Sequence, residues 1–139
     1  MSIAALQSSP WAYPALETLH ILGIALLLGN LVALEVRVWG GAAMLPVVPL
    51  ARLSLGLAAI GFALVAASGL LMFATQAADL LTHRTFLVKM GLLALAGCNA
   101  AWFHGRGSLR KLDLTARLQM LVSTALWLGV LVCGRWLAY

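Results

Sequence analysis

Residues 53–75 run without one charged side chain. A helix rises about 1.5 Å per residue, so a stretch of this length reaches roughly 30 Å, the thickness of bilayer hydrocarbon. Three more apolar stretches follow the same rule, at about residues 15–38, 86–103 and 118–138. In lipid, no water satisfies backbone N–H and C=O groups, so each span must be helical. The first span opens after Pro14, a residue suited to a first helical turn. The connections, at residues 40–50, 76–85 and 104–117, are short, which makes sequential helices antiparallel. The expected fold is all-α: a transmembrane up-down-up-down four-helix bundle forming a single domain over residues 1–139.

Composition agrees. Charged residues are 9% of the chain, against roughly 25% in a soluble domain. The lipid bilayer is therefore the first partner expected, and nucleic acid is excluded because no basic patch is interleaved with aromatics. The first nine residues have no positive charge and the first span holds Glu17 and His20, so it reads as a retained helix and not a signal peptide. Lys and Arg are distributed six to three between the two faces. Arg37, Arg52, Arg106, Arg110, Lys111 and Arg117 flank the first and third loops, whereas Arg84, Lys89 and Arg135 lie toward the other face. Positive loops stay in the cytoplasm, so both termini are expected on the outer face of a bacterial inner membrane. Trp11, Trp39, Trp102 and Trp136 fall near span ends as an aromatic belt. By helix rise, Cys98 and Cys133 lie about 18 Å and about 8 Å from one membrane face, too far apart for a disulfide.

Ionisable groups inside a bilayer are costly and tend to be functional. Three stand out: Glu17, His20 and Lys89. His20 lies about 9 Å into its helix and Lys89 about 5 Å in from the same face, with His83 in the adjoining loop. Neutral imidazole is the commonest metal ligand and often holds haem iron, so His20 is the candidate axial ligand. His83 or Lys89 is then the candidate for the opposite position, and Glu17, at i−3, is placed to orient the imidazole. The structural alternatives are a cross-helix hydrogen bond for His20, snorkelling for Lys89 and an interfacial pair of Glu17 with Arg84. A second polar group, Glu35, Arg37, Asn99 and His104 with Asn30, gathers toward the basic face. It reads as interfacial anchoring, with Glu35 meeting Arg52 or His104, or else as a second cofactor or quinone-headgroup site. Three histidines are too few for two bis-His haems. Small residues Gly56, Gly61, Ser68 and Gly69 mark the second span for close helix packing or for a flat cofactor.

The opening Tyr13-Pro14-Ala15-Leu16-Glu17-Thr18-Leu19-His20-Ile21-Leu22-Gly23 and the segment Leu34-Glu35-Val36-Arg37-Val38-Trp39-Gly40 resemble a family of short bacterial four-span membrane proteins. Ser68-Gly69-Leu70-Leu71 fits the same family. Phe86-Leu87-Val88-Lys89-Met90 and Ala96-Gly97-Cys98-Asn99-Ala100 are similar to the CopD copper-transport domain and to HemJ-type protoporphyrinogen oxidases. The HemJ resemblance implies haem b held by a first-helix His and a third-helix Lys, at His20 and Lys89. Glu17 and the Glu35/Arg37 pair depart from that pattern, and the Met and His clusters expected for copper are lacking. The expected function is haem b-based electron transfer, or oxidation of a porphyrin-like or quinol substrate, with a redox partner or a second copy of the chain. Copper or proton handling, and a cofactor-free structural subunit of a larger complex, are the alternatives.

Overall fold

The computed structural model describes residues 2–137. Seven helices follow one another: α1 (Ile3–Ser8), α2 (Ala12–Val38), α3 (Val47–Thr75), α4 (Ala77–Leu81), α5 (Arg84–Arg106), α6 (Ser108–Lys111) and α7 (Leu114–Trp136). The four long ones, α2, α3, α5 and α7, are each long and apolar enough to cross a bilayer. The chain is thus an all-α, multi-pass membrane protein. Between 11% and 22% of the residues in the four apolar windows are buried. Large side chains such as Leu53, Ile21 and Leu70 instead stand exposed at 63%, 65% and 69%. A surface this apolar would aggregate in water and is at home against acyl chains.

The helices overrun the expected spans for local reasons. Pro46 is the extended residue before α3, and Pro49 falls in the first turn, where its missing N–H leaves no hydrogen bond unmade. The helix therefore starts six residues before the apolar run expected from residue 53. At the start of α7, the Asp113 carboxylate accepts from the Ala116 N–H at 2.9 Å, an N-cap that lets the helix begin at Leu114. The expected end of the fourth span at Ala138 lies outside the described residues. α5 ends at Gly107, whose φ of +71° is left-handed and suits glycine. The short helices α1, α4 and α6 occupy segments expected to be connections. Leu6 of α1 is buried, and Gln7 donates to the Thr75 carbonyl at 3.2 Å, which ties α1 to the end of α3.

Packing is uneven. α2 lies along α3 and α5 along α7, and α2 joins the two pairs through α7. α2 and α3 come closest at Gly23 and Gly61: a Cβ added at Gly23 would stand 2.7 Å from the Gly61 carbonyl oxygen. The best-packed core lies toward the basic face, where Leu34, Val38, Ala51, Phe103, Ala116 and Met120 cluster. The opposite end, which carries His20 and Lys89, relies on thinner contacts, among them the stacked rings of Phe73 and Phe86 at 5.4 Å. Phe62 of α3 and Trp127 of α7 make an edge-on pair at 6.2 Å. Trp11, Trp39, Trp102 and Trp136 are exposed near helix ends, as a belt at the headgroup level requires. Cys98 and Cys133 are free thiols.

Candidate functional site

His20 is half-buried on the face of α2 that meets α3. Leu16, Gly23 and Leu27 share that face and are buried. The imidazole Nδ1 lies 3.0 Å from the Ser68 hydroxyl, and Gly69 leaves room for the ring: a Cβ there would come within 3.3 Å of Cε1. Proton bookkeeping assigns the tautomer. Ser68 donates its one hydrogen to the Leu64 carbonyl at 2.6 Å, so its oxygen can only accept from the ring. Nδ1 therefore carries the hydrogen, and the Nε2 lone pair of the neutral ring is left to bind an electrophile or a proton. Ser68 is 3% exposed, and its back-bond to Leu64, one turn earlier, is a common way for a helical serine to satisfy itself in an apolar setting.

Lys89, on α5, is half-buried and close enough to His20 for the two to interact electrostatically. Its ammonium lies over Gly134 of α7, 3.6 Å from where a Cβ would stand there, with Cys133 also nearby. No carboxylate among the described residues pairs with Lys89. His20 and Lys89 each lie beside a glycine on a neighbouring helix, Gly69 of α3 and Gly134 of α7.

Glu17 and His83 do not join them. Glu17 is exposed, and the partner that orients the His20 ring is Ser68. The reason is angular: Leu16 and His20, four apart, point inward, and Glu17 is turned about 100° from Leu16 onto the outer surface. His83 is exposed in the extended residue before α5. Among the described residues no three His, Cys, Asp or Glu side chains gather as a metal-ion group.

The second polar group separates into two. The Glu35 carboxylate accepts from Thr124 of α7, and not from Arg52 or His104. Arg37 uses Nε to hold the Leu45 carbonyl at 2.7 Å, closing the first loop, and Asn30 bonds back to Leu26 of its own helix at 2.7 Å. Asn99 donates to the Gln119 carbonyl at 2.9 Å and, with exposed His104, lines a cavity of about 40 Å³. Beside that cavity Arg106 is paired with Asp113 and also donates to Ser108 at 2.9 Å. The Arg106 hydrogen bonds hold the Asp113 carboxyl below its usual range, helped by the Ala116 N–H. Arg117 lies 5.8 Å over the Trp39 ring.

Ser68, Gln119 and Thr124 are the polar partners that sequence reasoning does not single out as such. Ser68 was visible only as one small residue among several. Hydroxyls and amides are unremarkable in a helix until the facing residue is known.

No family model matches the chain, and neither curated proteins nor solved structures provide a match.

Proposed function

We propose that the chain is a haem b protein of the membrane, in which His20 would ligate the iron and Lys89 would help to hold the bound group. The observation that carries this reading is the His20 ring, fixed through Nδ1 and left with Nε2 free. Haem suits such a site because the porphyrin supplies four ligands of its own and needs only one or two from protein. A lone histidine would be a poor copper or zinc centre, which takes three or four protein ligands. Gly69 and Gly134 give the His20 ring and the Lys89 ammonium room beside the neighbouring helices. Lys89, lacking a carboxylate partner, also offers its charge to an acidic group of the bound molecule. The resemblance to HemJ-type oxidases points to the same two residues and belongs to this proposal.

Haem, when bound, supplies one-electron redox chemistry. The chain's own residues orient and tune it: Ser68 holds the imidazole in one tautomer and sets its basicity. The task is electron transfer, or oxidation of a porphyrin-like or quinol substrate that reaches the site within the bilayer. The basic face lies in the cytoplasm of a bacterial cell, and the N-terminus and the α4 segment lie outside.

The test is an oxidised and dithionite-reduced absorption spectrum of the detergent-purified protein from haem-replete cells. The wild type shows a Soret band, His20→Ala loses it, and Ser68→Ala keeps it with a shifted midpoint potential. A wild type without a Soret band overturns the proposal and leaves His20 and Lys89 as groups for proton or metal handling. Single cysteines at exposed Ser8 and Met44, in a background with Cys98 and Cys133 replaced and probed with an impermeant maleimide in whole cells, test the orientation. Labelling of Met44→Cys but not Ser8→Cys would reverse it.

A further inference from the structure

Gln119 is 2% exposed, and its Nε2 has no hydrogen-bond partner. The amide orientation is constrained. Ser108 accepts from Arg106 at 2.9 Å, so its own hydrogen is free to go to Gln119 Oε1, 2.5 Å away. The amide oxygen is therefore on the Ser108 side, and Nε2 is the end left without an acceptor. A donor stranded this way in a buried site is costly, and native structures rarely leave one without an occupant or a purpose. Gln119 is a wall of the 40 Å³ cavity, together with Asn99, Ser123 and His104. The other walls are apolar, Leu31 and Phe103 among them.

We propose that this cavity binds the carbonyl oxygen of a membrane-borne amphiphile, with Gln119 Nε2 as the donor. The volume takes a carbonyl head or a few waters, not a whole ring. The rest of the molecule must therefore lie outside the cavity. Ala100 and His104 are exposed wall residues, so the mouth opens along the surface of α5, one of the four helices long and apolar enough to cross a bilayer. A ligand entering there needs an apolar body and one strong acceptor. Two membrane components offer that chemistry: the headgroup of a quinone and the ester of a glycerolipid. The site does not rest on the haem reading, because its elements lie near the basic face and share no residue with His20, Ser68 or Lys89.

The experiment separates the two sources. The full-length protein is placed in nanodiscs of diester or diether phosphatidylcholine, the latter having no carbonyl, and titrated with decyl-benzoquinone while its melting is followed. A quinone site gives saturable stabilisation in both lipids, and an azido-benzoquinone labels peptides covering residues 99–104 or 119–123. A lipid-ester site gives higher melting in diester than in diether discs and no response to quinone. Gln119→Leu removes whichever effect is seen. Ala100→Trp, which blocks the mouth and leaves the Gln119 hydrogen bonds alone, weakens it about tenfold or more. Equal melting in both lipids with no quinone response shows that water fills the cavity and overturns the proposal. An effect that survives both substitutions, or labelling confined to other helices, overturns it as well.

Discussion

Gly23 and Gly61 set how closely α2 and α3 approach, so Gly23→Ala is the sharpest test of the packing. The added methyl would stand 2.7 Å from the Gly61 carbonyl oxygen and 2.8 Å from Val65 Cγ2. Both partners sit on the α3 backbone or close to it and cannot swing aside. Ordinary contact begins near 3.4 Å, so the two helices must part by about 0.7 Å. Overpacking of this kind costs about 1–3 kcal/mol. Alanine returns about 0.5–1 kcal/mol through its better helix propensity, which leaves a net loss of about 0–2.5 kcal/mol, or about 1–3 kcal/mol relative to a glycine-to-alanine change without overpacking. Gly29 on α2 and Gly56 on α3 have nothing within 4 Å of an added Cβ, so Gly29→Ala and Gly56→Ala are the internal controls. They should be neutral or slightly stabilising. The same parting of helices stretches the His20–Ser68 hydrogen bond from 3.0 Å toward the limit of hydrogen bonding, so ligand binding at His20 should weaken alongside stability. Equilibrium unfolding in mixed micelles, followed by tryptophan fluorescence, measures the first effect, and the absorption spectrum the second. A Gly23→Ala protein as stable as Gly29→Ala would refute the reasoning.

Two further substitutions probe the α7 contacts. Thr124→Val removes the hydroxyl that donates to half-buried Glu35 and keeps the side-chain shape; it should cost about 1–3 kcal/mol in the same unfolding assay, and Thr124→Ser should recover most of it. Asp113 has its folded-state pKa lowered, chiefly by hydrogen bonds from Arg106 and then by the Ala116 N–H. Its stabilising contribution is therefore present above the ordinary value of 3.8 and is lost as pH falls through the lowered one. Melting curves between neutral pH and pH 2 should show a drop in the wild type that Asp113→Asn lacks, the variant being less stable than the wild type at neutral pH and matching it in acid.

The four spans were legible because a bilayer allows so few solutions to a long apolar run, and the helices found contain most of each expected run. Their starts were less legible. Pro49 and Arg52 look like interruptions when read along the chain, yet a first-turn proline removes no hydrogen bond, so α3 begins at Val47. His20 and Lys89 stood out because an ionisable group in an apolar helix has few innocent explanations. The partners were hidden for the opposite reason. Ser68 is 48 residues from His20, and Thr124 is 89 from Glu35. Those pairings depend on which helices adjoin and at what rotation, and only α2 lying against both α3 and α7 decides them. Glu17 shows the same limit. Its i−3 spacing from His20 is a neighbour relation on the helix surface, but only His20 of the pair is turned toward α3.

The small residues of the second span were ambiguous between close packing and space for a cofactor, and the two uses fall at different heights of one helix. At Gly61 the space is filled by the backbone of α2, and nothing larger fits. Two turns further on, Ser68 and Gly69 meet a side chain, the His20 imidazole, instead of backbone. The tight Gly23–Gly61 crossing thus acts as a fulcrum: it fixes α2 against α3 just where His20 begins to need a defined place. Beyond it the bundle loosens. The buried apolar cluster lies toward the basic face, while at the other end Gly69 and Gly134 sit against the His20 ring and the Lys89 side chain. A haem bound there as proposed would add contacts at the end that lacks such a cluster. The haem reading therefore carries a thermodynamic corollary. Ligand-loaded protein should resist unfolding more than ligand-free protein by an amount that grows with free ligand concentration, and His20→Ala should abolish that difference.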